Sequence, residues 1–516
     1  MSARSVTTLA TLATAGALLT PRPAAAQARE PYPGFAAYAD AAMKTWGVPG
    51  MGIAIVRNDS IVFARGFGVR ELGKPAPVTE RTLFAIGSSS KAFTAAAVAM
   101  LVDEGKVSWD APAATYLPGF QLHDAYATRE LTVRDILSHR SGLARGELAW
   151  YGSGFDRDEI VRRVRFLQPS WSFRSQFGYQ NIMYIAAGQV VAHVGKTTWD
   201  DFVRDRIFVP LGMTSSSTST RALTPQMELA TPHASVNDTV RPVGAWRNID
   251  NAGPAGSINS HVVDMAQWLR LQLGKGSFGG KQLISARMIE EMHTPHTIVR
   301  LDSAARVLNP DTHLQAYGLG WFVQDYRGKL VVQHGGNVDG FTALVAMLPE
   351  EKLGIVILTN MNGTGLPTAV MNKLFDLHLK APARDWSGDL HARTQAAQAR
   401  AKTAQQRLEA SRVPNTKPSL PLAAYAGTYT DSLYGDLVVR EQDGKLALTF
   451  GPIWKGVLEH WHFDTFRTRF ETPVLGAIPV TFRLNAAGKV DEMVLDMAGV
   501  VTFKRRPDAP PAAANR

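Results

Sequence analysis

The order of strand-like and helix-like runs constrains this 516-residue chain most. Met51 to Val56 and Ser60 to Gly68 are apolar, β-branched runs on either side of Asn58-Asp59, the chemistry of a tight hairpin turn. Val331 to Gln333, Thr342 to Met347 and Gly354 to Thr359 read as further strands, the last two joined by Pro349-Glu350-Glu351. Helical patterns lie among them: Phe35 to Trp46, the Ala- and Met-rich stretch from Ser88 through Leu101, Leu131 to Leu137, Ile182 to Val194 and Val262 to Leu273. Hairpins around interspersed helices call for an α+β fold with an antiparallel sheet flanked by helices. They exclude the alternating units of a parallel sheet.

Composition shifts sharply near residue 390. Leu390 to Arg412 is rich in Ala, Gln and Arg, with hardly a large apolar side chain, so it reads as an exposed linker helix that Pro414 to Pro421 closes. Beyond it, short strands alternate with turn residues: Gly427 to Thr430, Leu437 to Arg440, Lys445 to Phe450, Phe466 to Glu471, Val480 to Leu484, Glu492 to Asp496 and Val500 to Lys504. This is the pattern of a small all-β, barrel-like module. Met1 to Ala28 has a secretory leader's parts: Arg4, an apolar stretch of small residues from Val6 to Leu19, Pro21 and Pro23, and Ala-rich cleavage options. The expected division is leader 1–28, main domain 29–380, linker 381–419, β-rich domain 420–506 and a disordered tail 507–516, with the mature protein periplasmic or secreted.

There is no cysteine, which removes disulfides, thiolate metal sites and a cysteine nucleophile together. The net charge of +10 comes from 55 Lys and Arg against 45 Asp and Glu, scattered along the chain. That scatter reads as solubility and weak attraction to anions, not as a nucleic-acid footprint. No run after the leader is apolar enough to span a bilayer, so stable membrane insertion is not expected.

Three segments carry chemistry. Ser88-Ser89-Ser90-Lys91 opens the first long helix, where residues three apart share a face and the Lys91 amine can touch the Ser88 hydroxyl. A serine needs a base to take its proton, and a lysine half-buried near Phe84 and Phe93 can have its pKa lowered enough to help. Alone this motif is weak, since roughly one chance Ser-x-x-Lys is expected in a chain of this size. Phe177-Gly178-Tyr179-Gln180-Asn181 then sets a phenol and an amide two residues apart just before a helix. Val331-Val332-Gln333-His334-Gly335-Gly336-Asn337 runs a strand into two glycines, which let a substrate lie along the strand edge and leave backbone N–H groups for an oxyanion.

Ser-x-x-Lys, Tyr-x-Asn and His-Gly-Gly in this order resemble the class C β-lactamase and DD-peptidase-like serine hydrolases. The likeness extends to Leu137-Ser138-His139-Arg140-Ser141-Gly142-Leu143, to Pro210-Leu211-Gly212-Met213, and to Pro254-Ala255-Gly256-Ser257 followed by Asp264. It covers roughly Ala37 to Asn362, and Leu420 to Arg506 is similar to the β-rich domain that some members append. The resemblance implies a β-lactamase/transpeptidase-like fold with Ser88 as acylated nucleophile and Lys91 as its base or hydrogen-bond partner. It makes Tyr179 the proton shuttle, and the base assignment stays open between Lys91 and Tyr179. Asn181 would hold the substrate's amide carbonyl, His334, Gly335 and Gly336 would line the cleft, and the N–H groups of Ser88 and Asn337 would form the oxyanion hole. One departure matters: efficient β-lactam hydrolysis usually goes with Lys-Thr-Gly where this chain has His334-Gly335-Gly336. The expectation is therefore hydrolysis of a small peptide or amide, as in DD-peptidases and D-aminopeptidases. The alternatives are an esterase on small acyl esters, or a β-lactamase or penicillin-binding protein with slow turnover.

Other motifs are set aside. Gly195-Lys196-Thr197 lacks the first glycine of a phosphate loop, and no Gly-x-Ser-x-Gly elbow exists. His293 and His296 read as surface residues, His139 as a hydrogen-bonded core residue, and His460 and His462 as structural or exposed. Trp454, Trp461, Phe463 and Phe466 read as barrel core. No metal or organic cofactor is called for, and the sequence leaves the oligomeric state open.

Overall fold

Strand alternation sorts side chains onto two faces of one sheet, and helices cover both. The structure is a computed structural model that describes residues 30–507 apart from 309 and 498; the leader and the tail beyond 507 lie outside the described residues. Eight strands form an antiparallel sheet in the spatial order Ser60–Gly68, Gly50–Arg57, Leu353–Thr359, Phe341–Leu348, Lys329–Val338, Phe322–Tyr326, Gln315–Tyr317 and Thr297–Ile298. Every residue of Phe341–Leu348 and Leu353–Thr359 is buried. Leu344, Ala346, Ile355 and Ile357 point to one core, and Ala343, Val345, Val356 and Leu358 to the other.

The first core is closed by Phe35–Thr45 and Leu366–Leu379. The second packs against Val262–Leu273 and, beyond it, two helices that meet each other: Lys91–Asp103 and Asn181–Gly195. Lys91 through Leu101 is buried on all sides, as is Asn181 through Val191. Helices apolar around their whole circumference belong in a core. The two that carry the candidate chemistry are therefore held rigidly.

The linker helix Trp386–Ala410 is exposed along most of its length but anchored where it starts. Trp386 is fully buried, and its Nε1 donates to Asp376 at 2.7 Å. Beyond it, eight consecutive strands close into an antiparallel barrel: Gly427–Asp431, Gly435–Gln442, Lys445–Phe450, Trp454–His462, Thr465–Phe470, Pro479–Leu484, Val490–Met497 and Gly499–Arg505. Sequence patterning placed seven of these and missed Trp454–His462. In that strand just Trp454 and Leu458 are buried, so its apolar alternation is too sparse to register. The aromatic cluster also divides. Trp454 and Phe466 are core, but Phe463 is 55% exposed in a turn, and Trp461 lies outside the core beneath the guanidinium groups of Arg412 and Arg467. His293 and His296 are not surface residues either. They are partly buried, with ring nitrogens bonded to the Gln272 side chain and the Glu291 carbonyl at 3.0 and 3.1 Å, and burial pushes His293 down to about 4.

Candidate active site

The three serines before Lys91 have three separate partners. Gly87–Ser90 is a single 3₁₀ turn feeding the α-helix, so Ser88 sits just ahead of that helix and not within it. The Ser89 hydroxyl donates to the His334 carbonyl at 3.0 Å and so binds the turn to the glycine strand. The Ser90 hydroxyl accepts from the Ile258 N–H at 3.2 Å. Ser88 is left facing a cavity of about 510 Å³ with Tyr179, Asn181, His334, Gly335, Gly336 and Asn337 in its lining.

Close approach of turn and strand requires glycine on both sides. Gly87 is left-handed, with φ +52°, and a Cβ there would sit 2.6 Å from the Asn337 nitrogen. A Cβ on Gly336 would sit 1.8 Å from the Ile86 carbonyl oxygen and 2.9 Å from the Ser88 nitrogen. Gly335 is different, since its nearest neighbour would be the Ala343 oxygen at 3.5 Å, an ordinary contact. The Asn337 side chain is turned aside, its Oδ1 accepting from Thr342 at 2.9 Å.

Lys91 is fully buried and meets three oxygens: Ser88 Oγ at 3.0 Å, Asn181 Oδ1 at 2.8 Å and the Ala255 carbonyl at 2.8 Å. Burial holds its pKa well below that of an ordinary lysine; Glu147 opposes the shift and Arg145 adds to it. A neutral amine has two N–H donors and one lone pair. The carbonyl and the amide oxygen can only accept, so in the neutral form of Lys91 they take the two N–H groups and the lone pair is left for the Ser88 hydroxyl, whereas the protonated form donates to all three oxygens. The cap of the Asn181–Gly195 helix is Gln180, whose side chain accepts from the Ile182 N–H at 3.0 Å. Asn181 is thereby free of capping, and its Nδ2 lies 3.3 and 3.5 Å from the two Glu147 carboxylate oxygens.

Tyr179 packs 4.8 Å from the Lys91 amine and 5.2 Å from the Arg145 guanidinium, measured to its ring centre. Burial raises its pKa, while the Ser88 hydroxyl and Arg145 lower it less, so the phenol keeps its proton. His334 is buried, with its ring 6.3 Å from that of Tyr179. Its Nδ1 donates to the Gly335 carbonyl at 2.6 Å and its Nε2 accepts from Tyr317 at 2.9 Å. Burial, helped by Lys91, pushes its pKa down to about 3, so His334 brings no charge to the cleft. His139 lies behind Tyr179, ring centres 4.3 Å apart, and its Nδ1 accepts from the Gln180 N–H at 3.1 Å.

All eight candidate residues therefore converge at one place. Sequence reasoning missed Arg145, Glu147 and the carbonyl of Ala255. Arg145 and Glu147 lie two and four residues after Leu143, the end of the Leu137–Leu143 motif, but no spacing rule ties them to Asn181. Among the described residues no group of three or more His, Asp or Glu side chains could hold a metal ion, and no helix is long and apolar enough to cross a membrane.

A helix-borne lysine and a serine in the turn just before it, under a glycine-lined strand, in this topology, define a hydrolase of the β-lactamase fold. The chain belongs to the Beta-lactamase family, which residues 35–379 match, and residues 411–507 match a domain of unknown function, DUF3471. Unguisins hydrolase ungD of Aspergillus violaceofuscus is 30% identical over 488 residues, covering 87% of this chain and 84% of that protein. The octameric penicillin-binding protein homologue of Pyrococcus abyssi has a TM-score of 0.60 at 20% identity, over 91% of this chain and 99% of that one. The D-amino acid amidase of Ochrobactrum anthropi SV3 has a TM-score of 0.56 at 22% identity, over 67% of this chain and 97% of that one. At such identities the two structural likenesses establish the fold.

Proposed function

We propose that this chain is an exported serine hydrolase that cleaves amide or peptide bonds through an acyl-enzyme on Ser88. The observation that carries this reading is the set of contacts at the buried Lys91 amine, which lies 3.0 Å from Ser88 Oγ and whose other two partners, the Asn181 and Ala255 oxygens, can only accept. Lys91 takes the hydroxyl proton as Oγ attacks the carbonyl carbon. The N–H groups of Ser88 and Asn337, brought together by Gly87 and Gly336, hold the oxyanion. An amide leaving group needs a proton, and the Tyr179 phenol, kept protonated by burial, supplies it and is restored from Lys91. Asn181 Nδ2, held loosely by Glu147, is the donor for the substrate's own amide carbonyl. Water then attacks the acyl-enzyme by the reverse of the same proton path.

Amides are favoured over β-lactams because, among the described residues, no unpaired lysine or arginine lines the cavity to hold a lactam carboxylate. Among the described residues Arg145 is the one Lys or Arg in the cavity lining, and Glu147 pairs with it. Both ring nitrogens of His334 are engaged within the protein. The name of the D-amino acid amidase supports the same substrate class, and that of the unguisins hydrolase supports hydrolysis. Export rests on the leader at residues 1–28.

The test is intact-mass spectrometry with a fluorophosphonate probe on the wild type and Ser88→Ala, followed by kinetics on D-amino-acid amides, p-nitrophenyl esters and a chromogenic cephalosporin. One adduct on the wild type and none on Ser88→Ala is expected, with amides turned over fastest relative to their uncatalysed rates. An adduct that persists in Ser88→Ala would overturn the nucleophile. Turnover confined to esters would move the reading to an esterase. An N-terminus beginning after residue 28 on protein recovered outside the cytoplasm is expected; a retained leader would refute export.

A further inference from the structure

We propose that the C-terminal barrel completes the catalytic site by gripping the turn at residues 145–151, with Leu148 as the plug and Glu147 as a positioning residue for Asn181 and Lys91. The proposal rests on the reading of Ser88 as nucleophile. Consecutive residues of the 3₁₀ turn Glu147–Ala149 enter three different environments. Glu147 lines the catalytic cavity and meets Asn181, which in turn holds Lys91. Leu148 belongs to the barrel's core, where it packs with Leu437, Leu448, Phe450 and Trp454 around a void of about 10 Å³. Ala149 is buried in the core of the main domain.

The barrel secures the turn at further points. Trp454 Nε1 donates to the Tyr151 carbonyl at 2.9 Å, and Tyr151 itself lines the cavity with its hydroxyl 2.7 Å from Asp339. Glycines let the two backbones nearly touch: a Cβ on Gly152 would sit 2.2 Å from Ile453, and one on Gly451 would sit 2.3 Å from the Gly152 oxygen. Burial, then the Asp431 charge and least the Glu147 charge, raise the pKa of the barrel's Tyr434 to about 12. The main domain also holds the turn, through the Asn251 side chain on the Trp150 carbonyl at 2.9 Å and buried Ala149, but it leaves Leu148 to the barrel. The turn's N-cap is left-handed Gly146 with no side-chain capping bond, and without the barrel Leu148 would stand in water.

The charged and titratable groups facing Lys91 are Glu147, Arg145, Tyr179, Tyr184, His139 and His334. Glu147 is the carboxylate in that set and favours the protonated amine. Releasing it lowers the Lys91 pKa and moves the acid limb of the reaction to lower pH, while Asn181 loses its support.

The experiment measures the fluorophosphonate labelling rate of the full-length protein against pH for the wild type, Leu148→Ala, Leu148→Met, Trp454→Phe, Glu147→Gln and Val480→Ala. Leu148→Ala is expected to label at least tenfold more slowly, with its acid limb displaced to lower pH as in Glu147→Gln. Leu148→Met restores both, and Trp454→Phe, which keeps the barrel core filled, slows labelling a few-fold. Val480→Ala removes fully buried barrel volume from a residue outside the plug, and should lower the melting temperature without moving rate or acid limb. A Leu148→Ala profile identical to wild type, or a Val480→Ala profile displaced equally, would overturn the proposal. If Leu148→Ala does not fold, Trp454→Phe with the wild-type profile does so. A wild type that fails to label would refute the reading of Ser88 instead.

Discussion

The barrel and the cleft bury different kinds of group. The barrel interior is Leu437, Leu448, Val480, Phe482, Phe503 and their neighbours, and Thr468 is its one buried polar residue besides tyrosines among the described residues. At the cleft a lysine, two histidines, an asparagine and three serines or threonines, Ser89, Ser90 and Thr94, are buried around or behind the nucleophile. Apolar burial is non-directional and scales with area, so the barrel tolerates exchange of one hydrophobic side chain for another of similar volume. A buried polar group must instead be matched donor to acceptor, which leaves the cleft almost no freedom. Stability is therefore expected to be graded in the barrel, and activity to be all-or-none in the cleft.

The sharpest break of this contrast is Lys91→Met. It keeps volume but removes the base, and kcat/KM is expected to fall about 10³-fold with the far-ultraviolet circular dichroism unchanged. A loss under tenfold would take the base role from Lys91. Next come the paired glycines. Gly336→Ala drives a Cβ into the Ile86 carbonyl and separates strand from turn, costing roughly 10²-fold in kcat, whereas Gly335→Ala, whose Cβ meets an ordinary contact, stays within a few-fold of wild type. Equal effects of the two would show that the close approach is not what matters. In the barrel, Phe482→Ala removes a ring packed on Tyr425, Tyr429 and Phe466 and should destabilise by about 3–5 kcal/mol in chemical denaturation. An effect below about 1 kcal/mol would mean that the ring's site collapses around the loss.

The smallest effect concerns pH. An unfolded chain protonates His334 below its ordinary value of 6.5, but the folded protein resists until about 3. In that window the unfolded state binds more protons, so stability falls as pH drops. His334→Gln removes this share, and its melting temperature should decline less between about pH 7 and about pH 5 than that of the wild type. The slope is reduced rather than abolished, because His139 and His293 are held neutral by burial in the same way. A wild-type slope in the variant would show that His334 is not held neutral.

Much of the fold was legible because it is written in local pattern. The hairpin at Asn58-Asp59 forms as its turn chemistry requires, both residues left-handed at φ 48° and 63°. Helix Val262–Leu273 has the bounds its periodicity implies. The Trp454–His462 strand was illegible because its pairing with Lys445–Phe450 and Thr465–Phe470, not its own sequence, makes it a strand. Phe463 was misplaced for a related reason: a one-residue shift of register near His460 puts it in the turn.

By itself the sequence determined the order of the elements, the one-turn spacing of Ser88 and Lys91, and the glycines that permit close approach. These depend on backbone sterics and side-chain periodicity over a few residues. Only the tertiary structure decided that Lys91 is buried and its pKa lowered, that the Asn181 and Ala255 oxygens accept hydrogen bonds from its amine, and that Glu147 belongs to the site. Those outcomes need desolvation and hydrogen bonds between groups up to 164 residues apart. The barrel's grip on Leu148 reaches further still, since Trp454 and Tyr151 are 303 residues apart in the chain and 2.9 Å apart in space.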